Sequence, residues 1–294
     1  MSQRSPRGKL AALSTRVSGR EVEVLRLLVD YRFVSTGQLA RFFAHHHATA
    51  TSALRQLSRT MRRLEQLGLT HLLPRRIGGT RAGSAGSIWT PTSLTVRLLA
   101  LLDNTPMSRR HRIRDVSTAF LNHSLAIAEL RIQLEILSQQ GRISVQQVQT
   151  EPDCWRTYLG GPHGVTTYLK PDLFAITVTP DGYEDFWFFE VDLATEAPSR
   201  IITKCLQYQE HRRSGSEQAR QGVYPAVIWL TPNTDRTNRL RERIAAEADH
   251  MVFTVITGAE LEALIVSGVD AFQQRHKTGT SSSTARGEDS ALPP

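Results

Sequence analysis

The sequence predicts an α/β protein, α+β in overall arrangement, built as two units in tandem. Three observations carry that reading. Apolar residues recur at helical spacing through residues 18–67 and at strand spacing through much of the second half. Charge is partitioned: residues 1–115 hold 20 Lys/Arg against 6 Asp/Glu, while residues 116–294 hold the other 16 against 22. Finally, the turn Pro180-Asp181-Gly182 joins two apolar strands whose far ends carry Asp172 on one side and Glu190 and Asp192 on the other.

Composition bounds the classes. At 294 residues the chain has room for two cores, and 40% hydrophobic with 22% charged residues is ordinary for a soluble globular protein. No run of eighteen apolar residues suggests a membrane span, and the N-terminus lacks the apolar stretch of a secretory signal. The two cysteines, Cys154 and Cys205, form no metal spacing; they point to a reducing compartment and leave one disulfide open. The cytoplasm is the expected location. A net of +14 in the first part against −6 in the second suits a polyanion-binding domain fused to something else.

The first part divides into a basic, disordered arm over 1–16, a domain over 17–103 and a linker over 104–116. Ser18 and Glu21 have capping-box spacing and open a helix with Val22, Leu25, Leu28 and Val29 on one face. Ser35 or Thr36 caps a second, short helix through Phe43. The third runs from about Thr51 to Leu67, with Leu54, Leu57, Met61 and Leu64 as its buried stripe and Gly68 as its terminator. Arg55, Arg59, Arg62 and Arg63 project mainly from its other faces. Two strands follow, Leu69–Pro74 and Ser87–Thr90, joined by a glycine-rich loop carrying Arg75, Arg76 and Arg81. Three helices and a hairpin with a basic tip describe a winged helix-turn-helix. Its third helix suits the major groove of double-stranded DNA, and its wing arginines suit phosphate or the minor groove. A fourth helix, Thr92 to Leu102, either packs on this domain or supports a homodimer. His45, His46 and His47 are adjacent and have no Cys or acid at ligand spacing, so a loop or helix-end role is read for them.

The second part spans 117–270, with a polar tail over 275–294 read as disordered. Ser117 to Gln140 is a long, largely apolar helix carrying His123 and Glu129, roughly 120° apart on its circumference. Arg142 to Thr150 alternates as a strand, Glu151 to Leu169 reads as irregular, and the Asp172–Thr179 and Tyr183–Asp192 hairpin follows. Glu190 and Asp192 share a strand face, and counting back from the turn sets Asp172 within one position of Glu190. A helix from Pro198, a strand to Thr231, and a further helix, strand and helix complete the unit.

Pro171-Asp172, Glu190-Val191-Asp192 and the order helix, three strands, helix, strand resemble the αβββαβ core of the PD-(D/E)xK restriction-endonuclease fold. The whole chain resembles the replication-relaxation family of plasmids and mobile elements. The residues carrying that likeness are Tyr31-Arg32-Phe33, Gln38-Leu39-Ala40-Arg41-Phe42-Phe43, Leu67-Gly68-Leu69, His123-Ser124-Leu125, Pro171-Asp172, Phe189-Glu190-Val191-Asp192, Lys204 and Tyr208. The nuclease resemblance implies Mg²⁺ held by Asp172 and Glu190, with Glu129 a third ligand and His123 bordering the cleft. The pattern wants lysine two positions after the second acid, and Asp192 stands there. Lys204, one of only four lysines, is the substitute on the next helix, where Arg200, Lys204 and Tyr208 form one stripe; Lys170 is the alternative. Two functions follow from different classes: a Mg²⁺-dependent DNA endonuclease that nicks or cleaves, or a non-catalytic DNA-binding regulator partnering replication or mobilisation proteins. A ligand-sensing transcription regulator is a third, without a ligand motif to support it.

Overall fold

The computed structural model describes residues 6–76, 86–105, 117–161, 164–249 and 252–284. Residues 1–5 of the arm, the loop tip with Arg81, most of the expected linker and residues 285–294 of the tail lie outside the described residues. The fold is mixed α/β, and the chain divides into two compact units, Met1–Gln139 and Gln140–Pro294.

The first unit opens with α1 (Pro6–Ser14), where the sequence suggested a disordered arm. Leu10 and Leu13, three residues apart and therefore on one helix face, are buried, and α1 packs on α5 (Ser93–Leu102). The arginines and lysine around these leucines masked that apolar pair. Next come α2 (Gly19–Tyr31), β1 (Val34–Ser35), α3 (Thr36–Phe42) and, after a single 3₁₀ turn at Ala44–His46, α4 (Ala50–Gln66). All three α-helices start with reciprocal capping: Ser18 with Glu21, Ser35 with Gln38, and Thr49 with Ser52. Ala53, Leu57, Met61 and Leu64 form the buried face of α4, with Ala53 where Leu54 was expected. β2 (Thr70–Arg76) and β3 (Ser87–Pro91) pair antiparallel, and β1 adds to the other edge of β3.

The long helix α6 (Thr118–Gln139) belongs to this first unit, not to the second as its position in the sequence suggested. Its apolar stripe explains why. Leu121 and Leu125 join Phe33 and Ile88 in one core cluster, and Gln38 Nε2 donates to the Leu125 carbonyl at 2.9 Å.

The second unit is a five-stranded sheet in the order β10-β9-β8-β7-β4. β4 (Ser144–Thr150), β7 (Leu173–Val178) and β8 (Glu184–Val191) are antiparallel; β9 (Ala226–Thr231) and β10 (Phe253–Thr257) continue parallel to β8. The Pro180-Asp181-Gly182 turn is present, with Gly182 at φ +85° and its N–H donating to Thr179 O. A left-handed backbone there is what glycine permits at little cost. The segment expected to be irregular holds a separate hairpin, β5 (Arg156–Gly160) with β6 (Val165–Leu169). Its alternation of Arg156, Tyr158 and Gly160 inward with Thr157 and Leu159 outward is strand-like, but polar and glycine positions disguise it. α7 (Pro198–Ser214), α8 (Ser216–Gln221), α9 (Thr234–Glu247) and α10 (Leu261–Thr284) complete the unit. The α10 backbone breaks its helical geometry at Gly268 and reaches Thr284, inside the segment read as a disordered tail. Phe174, Phe188, Ile201, Cys205, Tyr208 and Trp229 are among the residues of this unit's core.

Burial of Leu13 gives α1 a measurable role. Leu13→Ala should lower the stability of the first unit by about 2 kcal/mol in denaturant unfolding. An unchanged midpoint would mean that α1 does not pack.

Candidate functional site

In the second unit, β8 lies between β7 and β9, which places Glu190 on an interior strand opposite Trp229. The β7–β8 register pairs Leu173 with Phe189, so one further step sets Asp172 across from Glu190. Backbone and side chain both fix Asp172: its N–H donates to Phe189 O at 3.1 Å, and its Oδ2 accepts from Val191 N at 2.7 Å. Glu190 is 1% exposed and Asp172 7%.

Two residues of α7 hold the buried glutamate. Lys204 Nζ lies 2.5 Å from Oε2, and the Tyr208 hydroxyl donates to Oε1 at 2.5 Å. They are four residues apart, so one helix face presents both. Arg200, the first member of the stripe, is exposed. Lys170 points elsewhere, with its ammonium 4.4 Å from the centre of the Trp155 ring. Burial pushes the Glu190 carboxyl up to about 8, against the pull of Lys204 and Tyr208. Burial would lower Lys204, but the Glu190 and Asp172 carboxylates outweigh it and hold the ammonium above its ordinary value. The acids that Lys204 faces thus favour its charged form.

Asp192, standing where the nuclease pattern has lysine, is occupied differently. Arg236 Nε donates to its Oδ2 at 2.6 Å and an Arg236 terminal nitrogen to Oδ1 at 3.3 Å; Ala194 N–H caps Oδ1 at 2.9 Å. Arg236 lies in the first turn of α9, and its other contact is the Glu196 carbonyl at 3.0 Å. Sequence reasoning missed this partner, because nothing local links Asp192 to a residue 44 positions away. It also missed a second buried network. Arg156 Nε donates to Glu217 Oε1 at 3.1 Å, with its guanidinium 4.6 Å from the Phe174 ring centre. His211 meets Tyr224 OH at 3.1 Å, and that hydroxyl donates to Tyr208 O at 2.9 Å. With the tyrosine proton spent there, His211 Nδ1 is the donor in the first contact. Burial, then Arg156 and Arg220, press His211 down to about 4, so it is neutral at pH 7. Cys154 and Cys205 are free, buried thiols.

These residues do not fit a divalent ion as they stand. Mg²⁺ takes six oxygen ligands in near-octahedral geometry. Both Glu190 oxygens are already engaged by donors, and Asp192 is engaged by Arg236. Among the described residues no group of three or more His, Cys, Asp or Glu could hold a metal. Glu129, the expected third ligand, belongs to the first unit, where Arg41 pairs with it at 2.6 Å and Gln38 donates to it at 3.3 Å. His123, also on α6 and half-buried, lies in the first unit too.

The other candidate surface is α4 of the first unit. Arg55, Arg59 and Arg62 are exposed, and among the described residues they have no ion-pair partner. Spacing of four and three residues puts them on one face, roughly 170° from the centre of the Ala53-Leu57-Met61-Leu64 stripe at 100° per residue. Arg63 is excluded from that face. It pairs with Glu21 and donates to Arg16 O at 2.6 Å, tying α4 to α2 and the turn before it. Arg75 and Arg76 end β2, with Arg76 in register with Ser87; their side chains, like Arg81, lie outside what is described. His45 and His46 sit in the 3₁₀ turn before α4 with ring centres 3.8 Å apart, and His47 follows as its last cap.

The replication-relaxation family model matches residues 25–227, more than half of the chain. The chain belongs to the replication-relaxation family. No curated protein and no solved structure gives a match. In this replication-relaxation protein the matched span takes in α4, Asp172, Glu190 and Lys204, whereas Arg236 falls beyond it. Among the described residues no helix is long and apolar enough to cross a membrane.

Two buried groups set opposite pH responses. Glu190 is raised in the folded protein, so its contribution to stability is full below about 4.5 and is lost as pH rises through about 8. His211 is depressed, so its contribution is full above its ordinary 6.5 and is lost as pH falls through about 4. The two cancel between pH 4.5 and 6.5 and leave a plateau there. Unfolding followed from pH 4 to 8 should show stability declining by roughly 2 kcal/mol from pH 6.5 to 8. In Glu190→Gln that alkaline decline should disappear; its persistence would place the titrating group elsewhere.

Proposed function

We propose that this protein binds duplex DNA through a winged helix in its first unit, and that its second unit is a PD-(D/E)xK-like scaffold that does not cut. The observation carrying the first part is the Arg55-Arg59-Arg62 face of α4, which points away from the core and has no partner among the described residues. Residues 55 and 62 are about 10 Å apart along the helix axis, comparable to the roughly 12 Å width of the major groove. Guanidinium groups on such a face suit guanine edges and phosphates, both of which accept paired N–H donors. β2 and β3, ahead of and behind a glycine- and arginine-rich tip, supply the wing, whose arginines would anchor on phosphate and leave base reading to α4.

The second part rests on the engagement of the acids. Metal-dependent phosphodiester hydrolysis needs carboxylate oxygens open to the ion. Here Lys204 and Tyr208 hold both oxygens of Glu190, and Arg236 holds Asp192. This favours the accessory reading, in which the family's replication context is served by DNA binding, over the endonuclease reading.

Arg59→Ala with Arg62→Ala should weaken duplex binding and reduce the slope of log K against log salt by about 2, near 0.9 for each phosphate no longer neutralised. Arg63→Ala should instead destabilise the first unit through Glu21. Equal duplex affinity in the double variant and the wild type would move the interface off α4. Supercoiled plasmid incubated with the protein and Mg²⁺ or Mn²⁺ should stay intact, and nicking abolished by Asp172→Ala would restore the endonuclease.

A further inference from the structure

The turn that joins α3 to α4 carries three histidines in a row, and the arginine face of α4 does not account for them. His45 and His46 are exposed, and neither ring has a hydrogen-bond or ion-pair partner among the described residues. Their ring centres lie 3.8 Å apart. The His46 ring also stacks on Phe43, with centres 6.3 Å apart, and the burial of Phe43 holds His46 at the surface. His47 follows, and two residues later Thr49 caps α4. From Thr49 to Arg55 the helix rises about 9 Å, less than the roughly 12 Å width of the major groove. A helix whose arginines lie in that groove therefore carries this turn at the groove's edge, where the flanking phosphates run.

Two rings so close do not readily carry charge together. The charged groups facing His46 are His45 and His47 of its own turn and Arg20 and Glu23 of α2. The first turn of α4, residues 50–54, brings no charge, and Arg41 of α3 pairs with Glu129. Partial desolvation, then His45 and Arg20, press His46 below its ordinary 6.5, with Glu23 pulling the other way. At neutral pH the ring of the free protein is thus mostly uncharged. A phosphate oxygen beside it reverses that balance, because a close opposite charge favours the charged form.

We propose that the His45-His46 turn is a second phosphate-binding element of the duplex interface, and that a DNA backbone phosphate docking there draws a proton from solvent onto His46. The resulting imidazolium donates an N–H to the phosphate oxygen. His45 sets how strongly the free turn resists that charge. Duplex affinity accordingly rises as pH falls. The α4 arginines add nothing to this dependence, since a guanidinium stays charged throughout.

The inference rests on α4 as the duplex-binding helix, and one experiment separates the two. A labelled duplex is titrated at constant ionic strength, at pH 7.5 and pH 5.5, with the full chain, with His45→Asn plus His46→Asn, and with Arg59→Ala plus Arg62→Ala. The wild type should bind roughly tenfold more tightly at the lower pH, the gain from one linked proton whose own affinity the duplex raises about tenfold. The histidine variant should match it at pH 7.5 and lose most of that gain. The arginine variant should be weaker at both pH values and keep the gain. By NMR, the His46 ring should titrate at higher pH when duplex is bound and, without DNA, at higher pH in His45→Asn. Equal wild-type affinity at the two pH values, or a gain that survives in the histidine variant, would overturn the proposal and leave α4 in place. No duplex binding by the wild type at either pH would overturn both.

Discussion

A carboxylate buried in the middle of a sheet must be neutralised or protonated, and the second unit is arranged around that requirement at Glu190. The strand bearing it pairs on both sides, so the side chain cannot escape to a free edge. α7 answers with Lys204 and Tyr208 on one face, which fixes the rotation of that helix over the sheet. Tyr208 in turn passes the constraint on. Its backbone carbonyl accepts from Tyr224, which meets His211, and these aromatic residues pack around Phe188 beside the Arg156–Glu217 ion pair. A polar network of this kind contributes more to a unique helix register than to net stability, because desolvation offsets much of the Coulombic gain.

The first unit uses its charge differently. Arg26, Arg41 and Arg63 are spent on ion pairs with Asp103, Glu129 and Glu21, each joining elements distant in sequence. Arg55, Arg59 and Arg62 stay exposed together on one face of α4. Arginine in this unit thus divides between residues that join distant elements and residues that stay exposed.

Periodicity made most of the architecture legible. The capped starts of α2 and α3, the hairpin with its Gly182 turn and the juxtaposition of Asp172 with Glu190 all follow from local chemistry: capping oxygens, a left-handed glycine and alternation along strands. What escaped depended on distance. Arg236 reaches Asp192 across 44 positions, and Glu129, a ligand candidate by resemblance, is claimed by Arg41 across 88. The β5–β6 hairpin escaped because its alternation uses arginine and glycine on the inward side. Lys204 was legible as a candidate through rarity and spacing, but whether it serves catalysis or neutralisation is a matter of which atoms it touches.

The membership of α6 in the first unit also bears on how the chain can be divided. A fragment ending near Asp103, the natural cut from the arginine- and proline-marked segment that follows, loses Leu121 and Leu125 and opens the cluster around Phe33 and Ile88 to water. It also strips Arg41 and Gln38 of their acceptor on Glu129. A fragment carried through Gln139 keeps that wall, and is the smallest piece in which α2, α3 and α6 can shield one another from solvent.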